Sequence, residues 1–84
     1  MGQSVDVQVL DSEGDPVAGA HVKIDIEGIW KGGTLEAYTD EDGHAEFETA
    51  EDYEDDREVM VYVRGESFGP YDLGEGAFTV TLDE

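Results

Sequence analysis

The chain contains no cysteine, so neither a disulfide framework nor a Cys-based zinc site holds it together. Basic residues are almost missing: Lys23, Lys31, Arg57 and Arg64 stand against 23 Asp and Glu, for a formal net charge of −19. With no basic stripe to neutralise phosphates, nucleic acid is excluded as a partner. No apolar run approaches the roughly 18 residues of a membrane-spanning helix, so no membrane span is expected, and the N-terminus shows neither the basic stretch nor the apolar segment of a signal peptide. Chemistry-bearing groups are equally sparse. His21 and His44 are the only histidines, and Ser4, Ser12 and Ser67 lack a Gly-x-Ser-x-Gly context. Nucleophile, base and orienting acid are not supplied together, so the expectation is a protein that is not an enzyme.

What is present is charge laid over a regular apolar alternation. A chain this acidic is often disordered, but Val, Ile and Phe alternate with polar residues through nearly every segment outside the turns. The acids fall on the outward positions, at Asp6, Asp25, Glu36, Glu46 and Glu48. A folded body coated in carboxylates repels itself at low salt, and at molar salt, with a Debye length of about 3 Å, that repulsion is screened. Scarce Lys beside abundant Asp and Glu resembles proteins of halophiles that accumulate salt.

At 84 residues the chain is expected to form one domain, 1–84, built from seven short strands. Ser4–Leu10 places Val5, Val7 and Val9 on one face. Ala20–Glu27 points Val22, Ile24 and Ile26 inward, and Thr34–Thr39 offers the weaker pair Leu35 and Ala37. His44–Thr49 brings Ala45 and Phe47, and Glu58–Arg64 brings Val59, Val61 and Val63. On the other face of that last segment, Met60 and Tyr62 predict a strand covered on both sides. Ser67–Leu73 contains Pro70, which removes a ladder donor and predicts an edge or a bend. Ala77–Leu82 ends the series with Phe78, Val80 and Leu82 inward. Two turns punctuate the pattern. Asp11 to Pro16 has Gly14 free to take a positive φ, and Thr39-Asp40-Glu41-Asp42-Gly43 closes a hairpin in which Asp40 accepts backbone N–H bonds. Ala50–Arg57, the longest charge run, reads as a loop.

Asp11, Gly14, Pro16, Val17, Gly19 and Ala20, followed by Thr39, Asp40, Gly43 and Phe47, form a pattern that resembles the carboxypeptidase regulatory-like family. That family comprises small β-sandwiches of transthyretin-like (prealbumin-like) topology. The resemblance covers about half the chain and implies an all-β, seven-stranded immunoglobulin-like/transthyretin-like β-sandwich. It also implies a module without catalysis or cofactor, since fold and activity are separate matters.

The candidate contact is the loop Glu27–Gly33, where Ile29, the only Trp, Trp30, and Lys31 sit between glycines. Aromatic residues at loop tips are common anchors for partners, although Trp30 folding back to close the sandwich is an equal alternative. Asp40, Asp42, Asp52 and Asp55 are weak calcium candidates, because Asp40-Glu41-Asp42-Gly43 lacks the ligand spacing of an EF-hand loop. The expected role is that of a structural or interaction subunit of a larger haloarchaeal assembly, a virion or a cell surface, that meets protein partners or copies of itself. The cytoplasm of a salt-accumulating cell is a further setting. The alternative is a carbohydrate- or calcium-binding accessory domain of a longer secreted protein, with Trp30 joined by Tyr38 or Tyr71 as a sugar platform.

Overall fold

A computed structural model of the protein describes residues 4–27, 34–49 and 57–83. Their alternation is realised as strands β1 (Ser4–Leu10), β2 (His21–Ile26), β3 (Thr34–Tyr38), β4 (His44–Glu48), β5 (Glu58–Val63), β6 (Glu66–Asp72) and β7 (Ala77–Thr81). One sheet has three strands in the order β4-β1-β7, and the other has four in the order β3-β2-β5-β6. β1 and β7 run parallel, and every other pairing is antiparallel. The all-β arrangement, with two sheets sharing one apolar core, is consistent with a β-sandwich.

The core follows from the period of two. Val5, Val7 and Val9 of β1 face Val22, Ile24 and Ile26 of β2 and Val59, Val61 and Val63 of β5, all 0–1% exposed. Phe47, Phe78, Val80, Leu82 and Leu73 complete it. Leu35 and Ala37, on edge strand β3, are only half-buried and pack against the margin of the core. Phe68 and Tyr71 of β6 do the same on the opposite edge, and the Tyr71 ring stacks on Phe78 across the two sheets at 4.8 Å between centroids.

One expectation changes here and another holds. Met60 and Tyr62 are half-buried on the outer face of the four-stranded sheet, and among the described residues no second layer covers them. Tyr62 is shielded instead by Lys23 of the neighbouring strand, whose Nζ lies 5.7 Å from the ring centroid. Pro70 does lie on an edge strand, β6, whose pairing with β5 shifts register between Val59 and Val61.

Candidate interaction surfaces

The two Asp-x-x-Gly segments fold into the same loop. In the first, Asp11 Oδ1 accepts from the N–H groups of Glu13 (2.9 Å) and Asp15 (3.0 Å). The Gly14 N–H donates to Asp11 O, and the Asp11 N–H to Asp15 O. In the second, Asp40 Oδ1 accepts from Asp42 (2.9 Å) and His44 (3.0 Å), the Gly43 N–H donates to Asp40 O, and the Asp40 N–H to His44 O. Gly14 and Gly43 take φ of 85° and 80°, the left-handed conformation that only glycine adopts without strain. These bonds, the His44 N–H foremost, hold the Asp40 carboxyl below the usual carboxylate range.

Thr39 ties the two motifs together. Its hydroxyl donates to Val17 O (2.6 Å) and accepts from the Ala20 N–H (2.8 Å). Its backbone N–H donates to Ala20 O, and its carbonyl accepts from the Gly19 N–H. The side chain is buried, so these bonds form away from competing water. The Pro16-Val17-Ala18-Gly19-Ala20 crossing is thereby stapled to the start of the second turn, 22 residues away along the chain in the case of Val17.

The outer face of the four-stranded sheet carries the most mixed chemistry. Tyr38 is 70% exposed, the only large hydrophobic side chain so exposed among the described residues. Its ring lies 5.3 Å from the His21 ring, and His21 Nε2 reaches Glu36 Oε1 at 2.8 Å. Lys23 over Tyr62 continues the strip along the sheet. On the outer face of the three-stranded sheet lie Asp6, Glu46 and Glu48, and none of its three strands contains a Lys or Arg. An open depression of about 300 Å³ is lined by Ser4, Asp6, Glu46, Phe47, Glu48 and Gly76. His44 Nδ1 sits 2.7 Å from Asp6 Oδ2, and this bond raises the histidine pKa above its ordinary value. A third acidic group closes one end of the four-stranded sheet, where Glu58 meets Glu27 and Asp72. The hydrogen bond with Glu27, reinforced by its charge, raises the Glu58 pKa.

The sequence candidates are distributed as follows. Ile29, Trp30, Lys31, Asp52 and Asp55 lie outside the described residues. Asp40 and Asp42 flank one turn, with Asp40 Oδ1 committed to backbone amides, and among the described residues no three His, Asp or Glu side chains converge as a metal site. His21 and His44 stand on the outer faces of different sheets and share no site. His44 is half-buried against Asp6. Of the two tyrosines named as companions of Trp30, Tyr38 faces outward from β3, while Tyr71 packs against the core from β6. Sequence reasoning passed over the Thr39 hydroxyl and the Asp6–His44 pair. The only local signal for either was a polar residue next to, or inside, the Asp-x-x-Gly turn. Among the described residues no helix is long and apolar enough to cross a membrane. The chain matches no protein-family model and no curated protein sequence.

Proposed function

We propose that the chain is a non-catalytic structural or interaction module. In this reading it is a seven-stranded, immunoglobulin-like/transthyretin-like sandwich of the carboxypeptidase regulatory-like kind, serving as a subunit of a larger assembly in a high-salt setting. The observation that carries the interaction reading is the strip Tyr38–His21–Lys23–Tyr62 on the four-stranded sheet. In a chain of net charge −19, this face sets Lys23 and an exposed tyrosine among its acids Asp25, Glu36 and Glu58, and so offers another acidic subunit, a second copy included, a cation and an aromatic ring to meet. The two motifs that carry the family resemblance are joined through Thr39.

Size-exclusion chromatography with light scattering in molar KCl tests this reading. A discrete oligomer that falls to monomer in Tyr38→Ala and Lys23→Glu, with melting temperature unchanged, supports it. A monomeric native chain overturns self-association through this face. It would turn attention to the second reading, a carbohydrate-binding accessory module, which the open Tyr38 ring favours as a stacking surface. The salt adaptation has its own test. Glu58 binds its proton more tightly in the folded state, so its repulsion with Glu27 and Asp72 appears as pH rises through its folded pKa. The melting temperature is expected to climb steeply with KCl, and Glu58→Gln to raise it at low salt with a gain that shrinks in molar KCl. A melting temperature indifferent to salt would end the halophile reading.

A further inference from the structure

β7 differs from the other edges of the two sheets. β3 carries Glu36, β4 carries His44, Glu46 and Glu48, and β6 carries Glu66, Pro70 and Asp72. Charges, prolines and register breaks on an edge keep an exposed strand from pairing with another chain. β7, Ala-Phe-Thr-Val-Thr, has none of these, in a chain where 32% of the residues are charged. Its ladder shows which backbone groups are engaged. The Asp6 N–H donates to Gly76 O and the Leu82 N–H to Leu10 O. In a parallel pair with Asp6 opposite Ala77, this turns the even-numbered residues of β7 toward β1. The N–H and C=O groups of Ala77, Thr79 and Thr81 point the other way, and among the described residues no strand pairs with them.

We propose that β7 is a strand-addition site. Its occupant is an extended segment of a partner protein, with Lys or Arg at both ends of an uncharged, β-branched centre, that joins the three-stranded sheet as a fourth strand. The inference rests on the reading of the chain as a module that is bound, but at a separate surface. Backbone pairing supplies the affinity, and charge selects the occupant. Exposed Glu75 and Asp83 bracket β7. Across the sheet, Asp6 lies opposite Ala77 and Glu46 opposite Asp6, so two carboxylates continue one row from the edge. With strands spaced about 4.8 Å apart, Asp6 lies about 10 Å from an added strand, within reach of a Lys or Arg passing over the Ala77 methyl. The depression of about 300 Å³ opens at this place, between Ser4, Asp6, Glu46 and Gly76. A second copy is the poorer occupant. Antiparallel β7 pairing centred on Thr79 would set Glu75 opposite Asp83 at both ends, and like charges placed opposite one another destabilise a sheet.

The test is amide NMR on the full chain, at the lowest KCl concentration that preserves its native spectrum, with the peptide Lys-Gly-Thr-Val-Thr-Val-Thr-Gly-Lys. Binding should shift the amides of Ala77, Thr79 and Thr81 and slow their hydrogen exchange. The same peptide with Glu at both ends should bind at least about tenfold more weakly. Thr79→Pro removes an outward N–H without touching a bond to β1, and should abolish binding. Should that variant fail to fold, Ala77→Lys reverses the preference toward the Glu peptide. Tyr38→Ala should leave peptide binding intact. Equal affinity for both peptides, binding of neither, or changes centred away from β7 would overturn the proposal. So would protection of β7 that grows with protein concentration alone, which would make a second copy the occupant. Loss of peptide binding in Tyr38→Ala but not in Thr79→Pro would move the contact to the four-stranded sheet and leave the module reading standing.

Discussion

The loops 11–15 and 40–44 have the same hydrogen bonds, the same acceptor aspartate and the same left-handed glycine, yet they do different work in the fold. A Cβ built at Gly14 meets nothing within 4 Å. A Cβ at Gly43 would lie 2.7 Å from Val9 O, 3.0 Å from Pro16 Cβ and 3.1 Å from Val17 N. The Val9 N–H donates to Gly43 O and its carbonyl accepts from the Val17 N–H, so the second turn is wedged against β1 and the crossing that follows the first. One motif therefore serves once as a solvent-facing reversal and once as a packing element. Identical local chemistry does not imply identical energetic weight.

The sharpest way to break this comparison is to add one methyl group to each turn. Alanine at a left-handed position costs roughly 1–2 kcal/mol, and that alone is expected of Gly14→Ala. Gly43→Ala adds overpacking against the backbone, typically a further 1–3 kcal/mol. Chemical denaturation in molar KCl should place Gly43→Ala clearly below Gly14→Ala. Equal losses would show that the turns differ in position only.

The next test concerns the staple. Thr39→Ala leaves the buried Ala20 N–H without its side-chain acceptor and Val17 O without its donor. An unsatisfied buried group costs about 1–3 kcal/mol, so a loss of about 2–3 kcal/mol is expected, while Thr39→Ser keeps the hydroxyl and most of the stability. If Thr39→Ser is as damaging as Thr39→Ala, the methyl rather than the hydroxyl holds the crossing.

How much of this was legible in the sequence follows from what is local. The period of two predicted the inward sets Val5-Val7-Val9, Val22-Ile24-Ile26 and Val59-Val61-Val63, all of which are buried. The aspartate and glycine of each turn were equally legible, because an Asx-type turn is closed within five residues. Partnerships between distant segments were not. Nothing in Thr39 itself indicates that its hydroxyl meets Val17, and nothing in Gly43 distinguishes it from Gly14 until β1 and β4 pair. The same holds for Met60 and Tyr62, where alternation shows an apolar outer face but not whether another layer or a neighbouring Lys23 shields it. At the candidate sites, the exposed Tyr38 was visible only as a second choice behind Trp30, since exposure depends on which strand occupies the edge.

A smaller effect at the second turn depends on pH. Asp40 is held ionised by the His44 and Asp42 N–H groups, so its folded pKa lies below its unfolded value. The stabilisation is therefore present above an ordinary aspartate pKa of about 3.9 and is lost as pH falls through the lower folded value. Asp40→Asn should track the native chain more closely in acid than at neutral pH when melting temperatures are compared. A gap between them that is independent of pH would mean that the carboxylate's charge contributes nothing beyond its role as an acceptor.

The smallest effect lies in the fifth residue of each loop. In the first loop it is Asp15, exposed; in the second it is His44, half-buried with Nδ1 on Asp6 of β1. The Asp6 hydrogen bond, and after it the Asp6 and Asp40 charges, raise the His44 pKa. A raised folded pKa gives stabilisation that is full below the unfolded value of about 6.5 and fades as pH rises through the folded one. NMR titration of the His44 ring should give a pKa above that of an unstructured histidine, and Asp6→Asn should bring it down. Melting temperatures of the native chain and Asp6→Asn should accordingly differ most at mildly acidic pH and converge as pH rises above the folded pKa, the opposite trend from Asp40. An unmoved His44 titration in Asp6→Asn would show that the Asp6 carboxylate does not tie the second turn to β1 through the His44 ring, and would leave the wedge at Gly43 to account for the difference between the two loops.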